Sequence, residues 1–330
     1  MYSPFDAKLW QGRVDDEEDR PAPRWHQIVK DFDQAAGNLE QAPVLLGFAC
    51  DEGVRRNKGR DGAAEGPAAL RQALAGLSWQ PITYLGAELK ESLFDAGTVT
   101  CVGPDMEAAQ LEYAHKVAKI IQSDGLAIGL GGGHEIAWAS YSGLEAALRQ
   151  QEKDVAQLAV LNIDAHLDLR KPAEHGSSGT PFRQIAEHRE QHDWPFHYAC
   201  FGVNPSANTR ALFDFAADKE VYWRADVDCT ELDLPAMDLA LRDFLSDKSG
   251  LYLTICLDAI SAPFAPGVSA PSALGLSPNV VLRLIHQLRQ ICDELNVPLL
   301  LVDVAEMNPK YDIDGRTAKL AARLIQACVE

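Results

Sequence analysis

What this chain is short of narrows it first. Positive charge is scarce: 30 lysines and arginines face 48 aspartates and glutamates, a formal net charge of -18. So acidic a chain repels phosphate backbones and anionic lipid, which excludes nucleic acid and membrane surfaces as partners. No run of 18 or more apolar residues is present to cross a bilayer. The start, Met1-Tyr-Ser-Pro-Phe-Asp6, lacks the basic and apolar stretches of a secretory signal. The seven cysteines (50, 101, 200, 229, 256, 292, 328) are odd in number, scattered, and never spaced C-x-x-C. That usage suits a reducing cytosol better than a disulfide framework, so the expectation is a cytoplasmic protein. Internal repeats and low-complexity linkers are missing too. So are the nucleotide loops: there is no G-K-[ST], and Gly131-Gly-Gly fits no G-x-G-x-x-G.

What is there is ample apolar material, 47% of 330 residues, enough for one large α/β domain. Residues 1–42, with Asp15-Asp-Glu-Glu-Asp19 and Pro21-Ala-Pro23, read as a polar arm with a short helix around residues 25–36. Residues 43–330 read as a single domain. Apolar strands are expected at Val44–Ala49, Thr98–Cys101, Leu126–Leu130, Leu158–Ile163, Leu251–Asp258 and Pro298–Val304. Helices are expected from Gly66-Pro67 onward, and over 104–122, 136–150, 208–217, 235–246, 278–296 and 314–329. Segment 171–206 reads as loop-rich. Strands alternating with helices indicate an α/β fold with a mostly parallel, doubly wound sheet.

The chemistry collects after the strands. Leu158–Ile163 runs into Asp164-Ala-His166-Leu-Asp168, and residues i, i+2 and i+4 of an extended chain share a face. Two carboxylates and an imidazole facing one point are costly to bury unless a cation sits between them, and a divalent metal answers that cost. Gly131-Gly-Gly turns the chain sharply and sets His134 at its mouth. Cys256 and Asp258 end a third strand, and Glu306 follows a fourth. In open parallel sheets, sites form beyond the carboxyl ends of the strands.

Taken in order, Gly53-Val-Arg-Arg-Asn-Lys-Gly-Arg60, Gly131-Gly-Gly-His134-Glu, Asp164-Ala-His166-Leu-Asp168, Cys256-Leu-Asp258, Ala265-Pro-Gly-Val-Ser-Ala-Pro271 and Asp303-Val-Ala-Glu306-Met-Asn-Pro309 resemble the ureohydrolase family of arginase, agmatinase and formimidoylglutamase. The likeness extends from about Gly47 to Leu324. It implies a three-layer α/β/α domain, two Mn2+ ions, a homo-oligomer, and hydrolysis of a guanidino or amidine carbon–nitrogen bond by a metal-activated hydroxide. By position, His134 and Asp168 hold one metal, His166 and Asp258 the other, and Asp164 bridges both. Glu306 holds the cationic amidinium, and Asp168 doubles as proton carrier.

Three departures from the family pattern bear on the substrate and the metals. Cys256 stands where the family has an aspartate that also bridges the metals: it is either a thiolate ligand or a small buried residue. Phe182, in Ser178-Gly-Thr-Pro-Phe182, stands where arginase has its proton-shuttle histidine, which argues against arginine as substrate. Arg170 replaces the asparagine that contacts the substrate carboxylate. It is either a bidentate carboxylate anchor or an ordinary ion-pair residue. With Ser177, Ser178 and Arg183 as helpers, a small amidine dicarboxylate is the expected substrate. The formimidoylglutamate branch fits best, and its products would be L-glutamate and formamide. The alternatives are another amidinohydrolase, acting on a guanidino acid or agmatine, and a non-catalytic binding protein.

Overall fold

The structure is a computed structural model of the full chain, and it describes residues 1–15, 23–35, 37–79 and 92–329. The expected acidic run beyond Asp15, as well as Pro21 and Ala36, lies outside the described residues. Ten strands form one sheet: β1 (Tyr2–Ser3), β2 (Val29–Asp31), β3 (Pro43–Ala49), β4 (Leu93–Thr100), β5 (Leu126–Leu130), β6 (Leu158–Ile163), β7 (Tyr198–Val203), β8 (Tyr222–Ala225), β9 (Gly250–Cys256) and β10 (Leu299–Ala305). Their order is β1-β4-β3-β5-β10-β9-β6-β7-β8, with β2 also on β4. Among the described strands, only β1 runs antiparallel to its neighbour.

The helices are α1 (Trp25–Ile28), α2 (Glu52–Arg56), α3 (Gly66–Ala75), α4 (Met106–Gln122), α5 (Ile136–Gln150), α6 (Pro181–Glu190), α7 (Arg210–Asp218), α8 (Leu234–Leu245), α9 (Pro278–Leu295) and α10 (Arg316–Val329). The central strands are buried on both faces, and side-chain alternation divides the core in two. Leu45, Leu161, Ile163 and Leu253 pack under α3, α8, α9 and α10. Val44, Leu46, Phe48 and Val160 pack under α4, α5 and α6. The result is the expected three-layer α/β/α arrangement. No described helix is long and apolar enough to cross a membrane.

Several expectations are corrected. Segment 171–206 holds α6 and β7 rather than loop alone. Phe182, Ile185, Ala186 and Arg189 supply a helical stripe, but its last member is an arginine and hides the pattern. Arg189 is buried because its guanidinium bonds the carbonyls of Val155, Ala156 and Pro195 and the Tyr141 hydroxyl. The helix expected over 25–36 is one turn, α1, followed by β2. The four residues of β8 add a strand where none is expected.

Residues 1–42, expected as a polar arm, place β1 and β2 on the sheet and bury Trp10 and Trp25. An ion pair anchors them. Arg71 of α3 meets Asp95 of β4 through two bonds, Nε–Oδ2 at 2.8 Å and Nη2–Oδ1 at 2.7 Å, both residues buried. Trp10 Nε1 donates to the same carboxylate at 2.8 Å, while Arg71 also reaches Thr98 Oγ1 and the Gly97 carbonyl. Removing one partner strands a buried charge. Arg71→Met is therefore expected to cost about 3–5 kcal/mol in urea unfolding, with much of the loss recovered in Arg71→Met/Asp95→Leu.

Candidate metal centre

Four adjacent strands, β5, β10, β9 and β6, end on the same edge, and each delivers polar groups to one point. His134 follows β5 by way of Gly131, Gly132 and Gly133. The turn threads between neighbours: Gly131 N donates to Val304 O at 2.8 Å, Gly132 N to Phe48 O at 2.9 Å, and Gly133 N to Cys50 O at 2.9 Å. A Cβ on Gly132 would sit 1.9 Å from Cys50 O, so only glycine passes there.

The His134 ring has one nitrogen on each side of a divide. Nε2 lies 3.0 Å from Thr254 Oγ1. Nδ1 faces Asp164 Oδ2 at 3.0 Å and Asp168 Oδ2 at 3.1 Å. With Nε2–H given to Thr254, Nδ1 keeps a lone pair for a cation, and among the described residues it has no aligned hydrogen-bond partner.

His166 Nδ1 lies 3.3 Å from Asp258 Oδ2 and 3.5 Å from Asp164 Oδ1. Asp164 therefore stands between two imidazoles. The convergence of Asp164, His166 and Asp168 does not come from strand alternation, because β6 ends at Ile163 and the three lie in the irregular, bent segment beyond it. Asp164 Oδ1 accepts from the His166 amide at 2.8 Å, the Leu167 amide donates to Asn208 Oδ1 at 2.9 Å, and Asp168 has a left-handed φ of 47°.

Cys256 ends β9, buried, with its Sγ 2.9 Å from Asp258 Oδ1. Donor atoms of His134, Asp164 and Cys256, and again of Asp164, His166 and Asp258, lie within 4.8 Å of one another. Glu306 follows β10 at φ 68°; its Oε1 accepts from the His134 amide at 3.1 Å, and its buried Oε2 has no hydrogen-bond partner among the described residues.

Charge explains the tuning. Burial raises Glu306 well above the usual carboxylate range, helped by Asp258 and Glu135. Burial and the Asp164 charge push Asp168 up to about 6, and burial also raises Asp258. Burial opposes ionisation of Asp164, but the imidazoles of His134 and His166 on either side overcome it and hold this carboxyl low. Burial works against both imidazolium ions, yet Asp164 and Asp168 raise His134, and Asp258 and Asp164 raise His166. Burial, then Asp164 and Asp258, lifts the Cys256 thiol. Carboxylates and lone-pair nitrogens in a buried cluster form a donor set suited to divalent cations.

A cavity of about 340 Å³ opens over this cluster, lined by His134, His166, Asp168, Cys256, Asp258 and Glu306 at its floor. Arg170 and Ser178 line it as well. Ser177 and Arg183 do not. The Ser177 amide is tied to Thr180 Oγ1, and Arg183 pairs with Glu187 at 2.6 Å while lying over Phe215. Phe182 is buried edge-on to His134, with ring centroids 5.4 Å apart.

Sequence reasoning missed the row beneath the site. Asn162, Thr254 and Asp303 are register partners on β6, β9 and β10. Asn162 Nδ2 donates to Asp164 Oδ2 at 3.1 Å, and Asp303 takes Ser140 and Tyr252 hydroxyls at 2.6 Å each. The available signal was a lone polar residue inside each apolar run.

This fold and site place the chain among the metal-dependent hydrolases with an arginase-type sheet. The Arginase family model matches residues 41–329, and the chain belongs to that family. It is 45% identical over 330 residues to a formimidoylglutamase of Ralstonia nicotianae, covering 100% of this chain and 97% of that one. It is 46% identical over 325 residues to a formimidoylglutamase of Aromatoleum aromaticum, covering 97% and 91%. Among solved structures, a formiminoglutamase variant from Trypanosoma cruzi with Mn2+ superposes with a TM-score of 0.77 at 25% identity, over 93% of this chain and 97% of that one. The formimidoylglutamase of Bacillus subtilis gives 0.80 at 21% identity, over 94% and 92%, a likeness of fold.

A metal takes imidazole in its neutral form, so an ion held by His134 and His166 would displace protons from them. The carboxylates beside both rings raise their hold on a proton, so rising pH would favour the metal. Calorimetric titration between pH 6.5 and 8.5 is expected to show Mn2+ affinity climbing with pH. An affinity independent of pH would count against both histidines as ligands.

Proposed function

We propose that this protein hydrolyses N-formimidoyl-L-glutamate to L-glutamate and formamide with two Mn2+ ions at the cluster. The observation that carries the reading is a single cavity with a carboxylate–imidazole floor and cationic Arg170 on its wall. The full-length relatives named formimidoylglutamase support the substrate. His134 and Asp168 would hold one ion, His166 and Asp258 the other, with Asp164 shared and Cys256 as the sixth donor. Bound there, the ions supply Lewis acidity and bring the pKa of water towards neutrality.

The chain's own groups do the rest. Glu306 Oε2, buried and unpartnered, accepts an N–H of the cationic amidinium and orients its carbon for attack. Asp168, whose Oδ2 lies 3.1 Å from His134 Nδ1, accepts the attacking water's proton and returns it to the departing glutamate nitrogen as the C–N bond breaks. Arg170 takes a substrate carboxylate, and Ser178, 3.3 Å from Asn57 Nδ2, sits on the same wall. Phe182 offers no proton path where a histidine would.

The working form is read as a cytoplasmic homo-oligomer. Seven free cysteines and exposed Val227, Leu232 and Leu239 around α8 support that reading.

Product analysis tests the function. Protein loaded with Mn2+ is expected to release formamide from formimidoylglutamate. Urea released from a guanidino acid in its place would favour the other amidinohydrolase reading. Glu306→Gln is expected to lower kcat/KM by roughly ten- to a hundred-fold, the worth of a hydrogen bond to a charged group, with Mn2+ content unchanged. Cys256→Asp replaces a soft donor by the oxygen that manganese prefers, and is expected to tighten Mn2+. Weaker binding in that variant would argue against any ligand role at 256.

A further inference from the structure

The cavity wall carries three cations, and they are not alike. Arg60 is committed: its amide and Nε bond Ser269 at 2.9 and 3.0 Å, and its guanidinium lies 4.0 Å over the Tyr311 ring. Nearby Arg55 and Arg56 are paired with Glu52 and Glu107. Lys58 and Arg170 differ. Both are exposed and line the cavity, and among the described residues neither charged head has an acidic partner. In a chain carrying -18 charges, two free cations on one cavity wall are a specific arrangement. They share a rim. A Cβ on Gly179 would lie 2.9 Å from Arg170 Cδ and 3.1 Å from Asn57 Nδ2, and Asn57 is the neighbour of Lys58.

The backbone at Lys58 adds an independent observation. Helix α2 ends in paired bonds, Lys58 N to Arg55 O at 2.9 Å and Gly59 N to Val54 O at 2.8 Å. This is the Schellman closure, whose left-handed position is normally glycine. Lys58 fills it at φ 63°. Glycine would hold that turn at lower cost, so the lysine is not explained by the local fold.

We propose that Lys58 is a specificity residue: its ammonium holds one of the two carboxylates of the acidic amidine substrate, while Arg170 holds the other. The inference rests on the reading of the site as a formimidoylglutamate hydrolase and names how that site selects a dicarboxylate. One guanidinium balances one carboxylate. A second anion brought near Asp168, Asp258 and Glu306 requires a second cation, and Lys58 lines that wall with no acidic partner among the described residues. Its four-carbon stem and rotatable donors suit a carboxylate met at the cavity mouth.

The test uses the Mn2+-loaded protein, Lys58→Gly, and three substrates: N-formimidoyl-L-glutamate, N-formimidoyl-4-aminobutyrate and N-formimidoyl-2-aminobutyrate, the last two each lacking one carboxylate. Lys58→Gly is expected to fold as stably as the parent. It should raise KM for the dicarboxylate by roughly ten- to a hundred-fold with kcat changed little. For one monocarboxylate analogue the rise should vanish, and Lys58→Arg should restore part of the loss. An unmoved KM, or an equal rise with both analogues, would overturn the assignment. Absence of formamide release by the unaltered protein would remove the parent reading, whereas turnover with an unmoved KM would remove this inference alone.

Discussion

Crowded carboxylates in a dry place are the constraint on which the rest of this structure depends. Asp164, Asp168, Asp258 and Glu306 belong to one small cluster, and Asp164 is fully buried. Like charges so placed repel strongly and have lost their water, so the arrangement persists only if opposing groups are built around it. Imidazoles His134 and His166 face Asp164 from two sides, and backbone amides close on Asp164 and Glu306. Those contacts fix where each oxygen points, which is what coordination chemistry needs from a protein.

Support for the cluster comes from below. Asn162, Thr254 and Asp303 lie side by side across three strands, each a polar residue within an apolar stretch. Thr254 sets the His134 ring, Asn162 braces Asp164, and Asp303 gathers hydroxyls from Ser140 and Tyr252. Asp168 and Glu306 adopt left-handed backbone that non-glycine residues avoid. Strain of about 1–3 kcal/mol at each is held by the packed edge around it, and it turns both carboxylates toward the cavity.

Much of this is legible in the chain. Strands β5, β6, β9 and β10 stand out as apolar runs with a polar residue within four positions of their ends. His134, Asp164, His166, Asp168, Asp258 and Glu306 stand out as the polar groups just past those ends. Where the signal fails, the cause is local. Arg189 looks polar but is buried by carbonyl bonds, so α6 is lost in loop. β8 is only four residues long. Arg183 looks like a helper because its neighbours are, but its place on α6 turns it to Glu187 and Phe215. Lys58 looks like any loop lysine until its backbone angle and its place on the cavity wall are taken together.

Neighbouring strands in a sheet keep a repeat of about 4.8 Å, set by their hydrogen bonds. Donors mounted on four consecutive strand ends inherit that repeat as a ruler. Loops beyond the strands, such as those bearing Lys58 and Arg170, are then free to diversify without respacing the donors. A molecule organised this way can exchange one nitrogenous substrate for another across evolutionary time while its inorganic heart keeps the same gauge.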